Sequence, residues 1–279
     1  MTSERVHVDV QSVGAGIDIW FEDRGRLADP VVLLISSANA TSMCWPSSLL
    51  DGLVDAGLRV IRYDNRDVGL STWPSAQGLV YTFDDLTADA MSLIDTLEID
   101  RCHVVGLSMG GAIAQRLALV APLRIDRLVL VATTADLSRR VLSGCDPKLV
   151  AALEGIAHDV GPVERTVMAY RSFAGSRFAF DDDWYRRMAE EDLVRGQNPA
   201  PGHGDVMAGT APWIDELRSV SSPTLVVHGS EDGSFPLDHG HALAHGLRDA
   251  QLVVWEGVGH EIPPALHDEL TRMIIQHLG

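Results

Sequence analysis

Val104-Val105-Gly106-Leu107-Ser108-Met109-Gly110-Gly111 is the stretch that decides the fold. A β-branched run passes through G-x-S-x-G into a small, apolar pattern in which Ala112, Ile113, Leu117 and Val120 keep helical spacing. The arrangement forces a serine onto a sharp strand-to-helix turn. There the serine takes a positive φ, and a Cβ two residues to either side would collide with the crossing backbone, so both flanks are glycine. A helix starting at Met109 aims unpaired N–H groups and its positive dipole end at charge developing beside Ser108, which makes Ser108 a candidate nucleophile.

Outward from this turn, strand-like segments recur near 5–12, 15–22, 30–36, 59–64, 101–106, 126–133, 223–228 and 251–256. The first two alternate in polarity, as an antiparallel edge does; the later ones are continuous Val/Ile/Leu runs, as strands covered on both faces are. Helical patterns between most of them predict a mostly parallel sheet. Between Thr134 and about Gly209 the alternation stops and helical patterns replace it, over 147–158, 163–173 and 182–195, with Asp181 or Asp182 placed to cap the last. This divides the chain into a core, 1–134 and 210–279, and a helical insertion, 135–209, over the sheet.

Composition sets outer limits. The 279 residues, 46% of them hydrophobic, suffice for a large core carrying an insertion. Thirty-nine acidic against 22 basic residues give a formal charge of −17, which opposes binding to nucleic acid or anionic membranes. Cys44, Cys102 and Cys145 lack metal spacing, and Met1–Val6 lacks an apolar signal core, so the expectation is a protein of the reducing cytoplasm. No apolar run reaches the length of a membrane span.

A serine hydroxyl is a poor nucleophile unless a base takes its proton and a third group fixes the base. Two strand ends supply such groups. Pro223-Thr224-Leu225-Val226-Val227 leads into His228-Gly229-Ser230-Glu231-Asp232, and Leu252-Val253-Val254-Trp255 leads into Glu256-Gly257-Val258-Gly259-His260. Functional residues of open α/β sheets gather at the carboxyl edge of the strands, so Ser108, an acid of the first loop and His260 can converge.

The order Ser, Asp, His with G-L-S-M-G, H-G-S-E-D and G-V-G-H resembles the α/β-hydrolase superfamily along nearly the whole chain. Within it, Asn39–Pro46 (N-A-T-S-M-C-W-P) and Arg62–Thr72 (R-Y-D-N-R-D-V-G-L-S-T) resemble the aclacinomycin methylesterase-like serine hydrolases, which remove a methyl ester from a polyketide. The resemblance implies an α/β-hydrolase fold: an eight-stranded, mostly parallel sheet flanked by helices, with a helical lid. It implies Ser108 as nucleophile, His260 as general base and acid, and Asp232 as the orienting carboxylate. Glu231 and Asp136, the acid after the sixth strand-like run, are the competitors for the last role. The implied oxyanion hole uses the backbone N–H of Met109 and one from the loop after Ile35. There Ser36-Ser37 replaces the His-Gly of many relatives, and the donor is Ala38 or Ser37.

Other features point to structure. His239, His241 and His245 include an i,i+4 pair without the carboxylate of a metalloprotease helix and read as a solvated face, so no metal site is expected. His228 reads as a packed strand-end residue, and Arg66 and Asp67 as ties for the loop after the fourth strand. No G-x-G-x-x-G follows a strand, and no cofactor is expected. Of Phe173, Phe178, Phe180, Trp184, Tyr185 and Met188 in the insertion, most are expected in helix core and about a third at a pocket wall, Trp184 and Tyr185 among them, with Ser37, Asn39 and Trp45 contributed by the core.

The sequence thus predicts a serine carboxylic-ester hydrolase working through an acyl-enzyme, with a small-molecule hydrophobic ester as its partner. Carbon–carbon bond hydrolysis and cofactor-free perhydrolysis are the alternatives on the same residues. A non-hydrolytic ligand-binding protein, or a lyase or cyclase using His260 alone as base, are the alternatives of other classes.

Overall fold

The computed structural model describes residues 5–157 and 159–279; His158, the expected end of one helical pattern, lies outside them. Eight strands form one sheet: β1 (Arg5–Gly14), β2 (Ile17–Gly25), β3 (Val31–Ile35), β4 (Arg59–Tyr63), β5 (Cys102–Leu107), β6 (Ile125–Val131), β7 (Thr224–Gly229) and β8 (Ala250–Trp255). Their spatial order is β1-β2-β4-β3-β5-β6-β7-β8. Strand β2 is antiparallel to β1 and to β4, and every pairing from β4 to β8 is parallel.

The inner parallel strands are mostly apolar because both faces are covered; the buried arginines of β4 are paired, Arg59 with Asp23 and Arg62 with Glu22. In β3 all five residues are buried, and they alternate between two cores: Val31, Leu33 and Ile35 face one layer, Val32 and Leu34 the other. The first layer contains helices α2 (Phe83–Thr96), α3 (Met109–Val120) and α8 (Leu237–Gly246), which bury Leu93, Ile113, Leu117 and Leu243. The second contains α1 (Ser47–Asp55) and α9 (His267–Leu278), with Leu50, Leu53, Leu270 and Ile274. Helix α2 begins in a capping box: the Asp85 N–H donates to Thr82 Oγ1 at 3.3 Å and the Thr82 N–H to Asp85 Oδ2 at 2.7 Å.

Four further helices lie between β6 and β7: α4 (Pro147–Glu154), α5 (Pro162–Phe173), α6 (Asp182–Arg195) and α7 (His203–Gly209). Asp181 is the cap of α6, accepting the Trp184 N–H at 2.9 Å. Helices α5 and α6 share a small core of Val167, Tyr185, Met188 and Ala189, separate from both sheet layers. Buried polar contacts hold the group to the sheet. Arg195 donates to Asp64 at 2.6 Å with its guanidinium over the Trp20 ring, Thr41 donates to Asp192, and His203 bridges the Asn39 N–H and the Arg66 carbonyl. The sequence did not signal α7, whose seven residues include two glycines and carry no apolar period. Among the described residues no helix is long and apolar enough to cross a membrane.

Candidate active site

Strand β5 enters helix α3 through Ser108, whose φ of 54° and ψ of −117° lie outside the regions an L-residue normally occupies. The neighbouring layers leave no alternative path. A Cβ on Gly106 would stand 2.3 Å from the Gly110 carbonyl oxygen, and one on Gly110 would stand 2.2 Å from that of Ile35. The Ser108 N–H bonds to the Val131 carbonyl at 2.9 Å, and the Thr133 hydroxyl donates to the Ser108 carbonyl at 2.6 Å, so β6 holds the turn from the side. Although Ser108 occupies the N-cap position of α3, its hydroxyl caps nothing. It is left for another partner.

That partner is His260, on the loop after β8, with Nε2 3.0 Å from Ser108 Oγ. On the other side of the ring, Nδ1 lies 2.7 Å from Asp232 Oδ2 on the loop after β7. Asp232 Oδ1 accepts the N–H groups of Ser234 and Phe235, each at 2.8 Å. Burial alone would raise this carboxyl, but His260, His228 and the Phe235 N–H together hold it below the usual carboxylate range, so it stays ionised. Phe173 and Phe235 each bring a ring within 5.5 Å of the His260 imidazole, and the His260 N–H bonds to the Phe173 carbonyl at 2.9 Å. The imidazole is therefore fixed by the core on one side and by the end of α5 on the other.

The rival acids have other duties. Glu231 is exposed and accepts both the N–H and the hydroxyl of Ser176 at 2.7 Å, tying the chain after α5 to the β7 loop; these bonds pull its carboxyl below the usual range. Asp136 accepts backbone N–H groups of Arg140, Val141 and Leu142 at 3.1, 2.7 and 2.9 Å, closing the turn that leads into α4. His228 is buried beside Asp232, its Nε2 2.8 Å from the Phe235 carbonyl, and burial pulls its imidazole down. Arg66 forms a bidentate pair with Asp89 of α2, both bonds at 2.6 Å. Asp67 accepts from Ser75, Tyr81 and Gly202.

The N–H groups around the loop after β3 are allotted differently. Asn39 gives its own to His203 Nδ1 at 2.9 Å, while Ser37 and Ala38 both lie beside Ser108 in the cavity wall. Met109, the first residue of α3, has no intrahelical acceptor for its N–H. Ala38, Ser37, Asn39, Ser108 and His260 border one cavity of about 640 Å³, walled above by Tyr170, Phe173, Trp184, Tyr185 and Met188. Cys44 also lines it, but burial pushes that thiol up to about 12 and leaves it unreactive at neutral pH. A second cavity of similar volume lies between residues 75–84 and 202–216 and contains none of these groups.

Three expectations need correction. Trp45 does not border the Ser108 cavity; it is fully buried against Leu49 and its neighbours in the second core layer, because the 3-10 turn Ser42–Cys44 points it inward. His239 is not solvated: it is buried at the start of α8, with Thr134 Oγ1 at 2.6 Å and the Ser143 carbonyl at 2.9 Å. Only His241 and His245 of that trio are exposed, and among the described residues no cluster of three metal-binding side chains exists. More of the six insertion side chains border the cavity than expected, Phe173, Trp184, Tyr185 and Met188; of the others, Phe180 stacks flat on Tyr185 at 4.5 Å and Phe178 packs on the second layer. The sequence reading passed over Thr133, Phe235, Asp192 and Glu261, whose places depend on tertiary packing with no local signature.

This fold and this site define an enzyme class, the serine hydrolases built on a doubly covered parallel sheet. The chain belongs to the α/β hydrolase fold family, whose model matches residues 30–263. It is similar to rhodomycin D methylesterase of Streptomyces peucetius, 32% identical over 94% of this chain and 95% of the relative. It is also similar to a 2-hydroxy-6-oxononadienedioate/2-hydroxy-6-oxononatrienedioate hydrolase of Pseudomonas putida, 27% identical over 97% of this chain and 95% of that protein. Among solved structures, 2-hydroxy-6-oxo-6-phenylhexa-2,4-dienoate hydrolase of Rhodococcus sp. strain RHA1 superposes with a TM-score of 0.78 at 20% identity, covering 99% of both chains, which speaks to the fold alone.

Proposed function

We propose that this chain is a serine carboxylic-ester hydrolase acting on a bulky, hydrophobic, polyketide-like methyl ester. The observation that carries the reading is the unbroken path from Asp232 through His260 to Ser108 Oγ, at 2.7 and 3.0 Å, opening into a cavity walled by aromatic side chains. His260 Nε2 takes the Ser108 proton as Oγ attacks the ester carbonyl. Asp232 steadies the imidazolium that results. The negative oxygen of the tetrahedral intermediate is received by the N–H groups of Met109, at the start of α3, and of Ala38, in the loop after β3. His260 then returns the proton to the departing alkoxide, and methanol leaves. Water repeats the cycle on the acyl-serine, with His260 again as base. Each proton and charge is handled by side chains and backbone, so the chemistry requires no cofactor.

Residues 135–209 act as the lid in this reading, and they set the acyl group. A wall of Tyr170, Phe173, Trp184 and Tyr185 suits a flat aromatic body, and burial of apolar surface at about 25 cal/mol per Å² supplies binding. The similarity to a methylesterase points the same way. The Pseudomonas putida relative is named for hydrolysing dicarboxylates, whereas Asp192 and Glu261 line the cavity here. The test is a panel of methyl esters of increasing acyl size, with wild type and Ser108→Ala. Wild type should release methanol most efficiently from polycyclic esters, and Ser108→Ala should lose more than about 10³-fold in kcat. An alanine variant within about tenfold of wild type would refute the reading.

A further inference from the structure

Helix α7 comes from the insertion, yet its first residue reaches the loop after β3. His203 is completely buried. Its Nδ1 accepts the Asn39 N–H at 2.9 Å, and its Nε2 lies 2.9 Å from the Arg66 carbonyl oxygen. A backbone N–H can meet only a ring nitrogen without a proton, and a carbonyl only one that carries a proton, so the two contacts together select the neutral imidazole with its hydrogen on Nε2. Burial favours that form by pulling the imidazole down to about 4. The surroundings fix the ring in place. Asp67 Oδ2 accepts the Gly202 N–H and the Tyr81 hydroxyl, each at 2.8 Å, and Tyr81 meets the imidazole edge to face.

Only the φ and ψ of Ala38 separate the Asn39 N–H from the Ala38 N–H. Asn39 itself stands at a φ of 58°, in the left-handed region, so the turn after β3 holds a conformation that the backbone does not favour unaided. We propose that His203 is a positioning residue for the oxyanion hole: by holding the Asn39 N–H it fixes the turn that aims the Ala38 N–H at the reacting oxygen. The proposal rests on the ester-hydrolase reading, in which Ala38 and Met109 supply the hole. It gives α7 a share in catalysis although His203 does not border the cavity. Val206 and Met207 of α7 pack on the first core layer, so this helix works with the strand ends rather than with the α5–α6 pair that walls the cavity.

Asparagine and glutamine divide the two contacts of a histidine, since the Asn amide oxygen can stand where Nδ1 does and the Gln amide nitrogen where Nε2 does. His203→Gln keeps the tie to Arg66 and gives up the Asn39 N–H, so it should lower kcat on a methyl naphthoate by about 10²-fold with KM within about threefold of wild type. His203→Asn keeps the Asn39 N–H and should stay within about fivefold of the wild-type kcat. An aryl trifluoromethyl ketone adds to an activated serine and places an oxyanion in the hole; its affinity for His203→Gln should fall in step with kcat/KM. Equal kcat for the two variants, with both shown to be folded by thermal denaturation, or a ketone affinity unchanged by His203→Gln, would overturn the assignment. Wild type offers a check free of substitution. Nitrogen NMR at neutral pH should find the His203 hydrogen on Nε2, and a protonated ring or a hydrogen on Nδ1 would also overturn the assignment. The ester-hydrolase reading fails separately, through a Ser108→Ala protein that retains turnover.

Discussion

The carboxyl edge of the sheet and the helices that roof it are built on different terms. At the edge, Ser108, Asp232 and His260 sit on short loops directly after β5, β7 and β8, and their polar atoms are engaged at ordinary hydrogen-bond lengths. In the roof, α5 and α6 share a core of four buried residues, the roof is held down by a few polar ties, and the Tyr185 hydroxyl is left without a partner. The edge is a completed device whose geometry is fixed by two large cores. The roof is a smaller assembly resting on those cores, with a four-residue core of its own. Substitutions at the edge should therefore act on kcat for every ester, and those in the roof on KM and on the choice among esters.

The largest effect belongs to Asp232. Asp232→Asn should lower kcat by about 10⁴-fold on small and bulky esters alike, because the amide presents the wrong partner to His260 Nδ1 and cannot balance the imidazolium. A loss confined to bulky esters, seen by steady-state kinetics, would erase the distinction between edge and roof. Next comes Trp184→Ala, which should raise KM for polycyclic methyl esters about tenfold while changing acetyl esters little, since part of the apolar wall is removed. Unchanged selectivity in the same assay would show that α6 does not shape the acyl site.

A smaller effect concerns stability. Glu261 is held at about 7 in the fold against an ordinary value of 4.5, chiefly through burial, so the folded chain binds this proton more tightly than the unfolded chain. Its favourable contribution is fully present below about pH 4.5 and is lost as the pH rises through about 7. Glu261→Gln, which never ionises, should melt a few degrees above wild type at pH 8 and level with it near pH 4.5, as followed by thermal denaturation. A variant less stable at both pH values would mean that the carboxylate has a partner. Smallest of all, Glu231→Gln should leave kcat within about twofold, because its carboxylate only receives Ser176 at the surface. A severe loss of kcat there would move the acid from Asp232 to its neighbour.

The same contrast explains what the sequence disclosed. The eight strands were legible because the inner strands, covered on both faces, are rich in Val, Ile and Leu, and β1 and β2 alternate in polarity; both are local properties of the chain. Ser108 was legible because the turn demands Gly106 and Gly110, and each flank carries a letter that no other residue can replace without collision. The cavity wall was not. Whether Trp45 faces a ligand or a core, and whether Tyr185 or Phe180 fronts the cavity, depends on how whole segments are rotated against one another. Composition is identical in either case. Glu261 was overlooked because a glutamate beside a histidine has no periodic or spacing signature; only its burial and its unpartnered oxygen distinguish it.

The most direct measurement is labelling with a fluorophosphonate, which mimics the tetrahedral intermediate on an activated serine, followed by intact-mass and peptide analysis. One equivalent should attach, it should lie on Ser108, ester turnover should fall in step with labelling, and Ser108→Ala should remain unlabelled. Label on another residue, or a fully labelled Ser108 in a protein that still hydrolyses its best ester at the wild-type rate, would contradict the account.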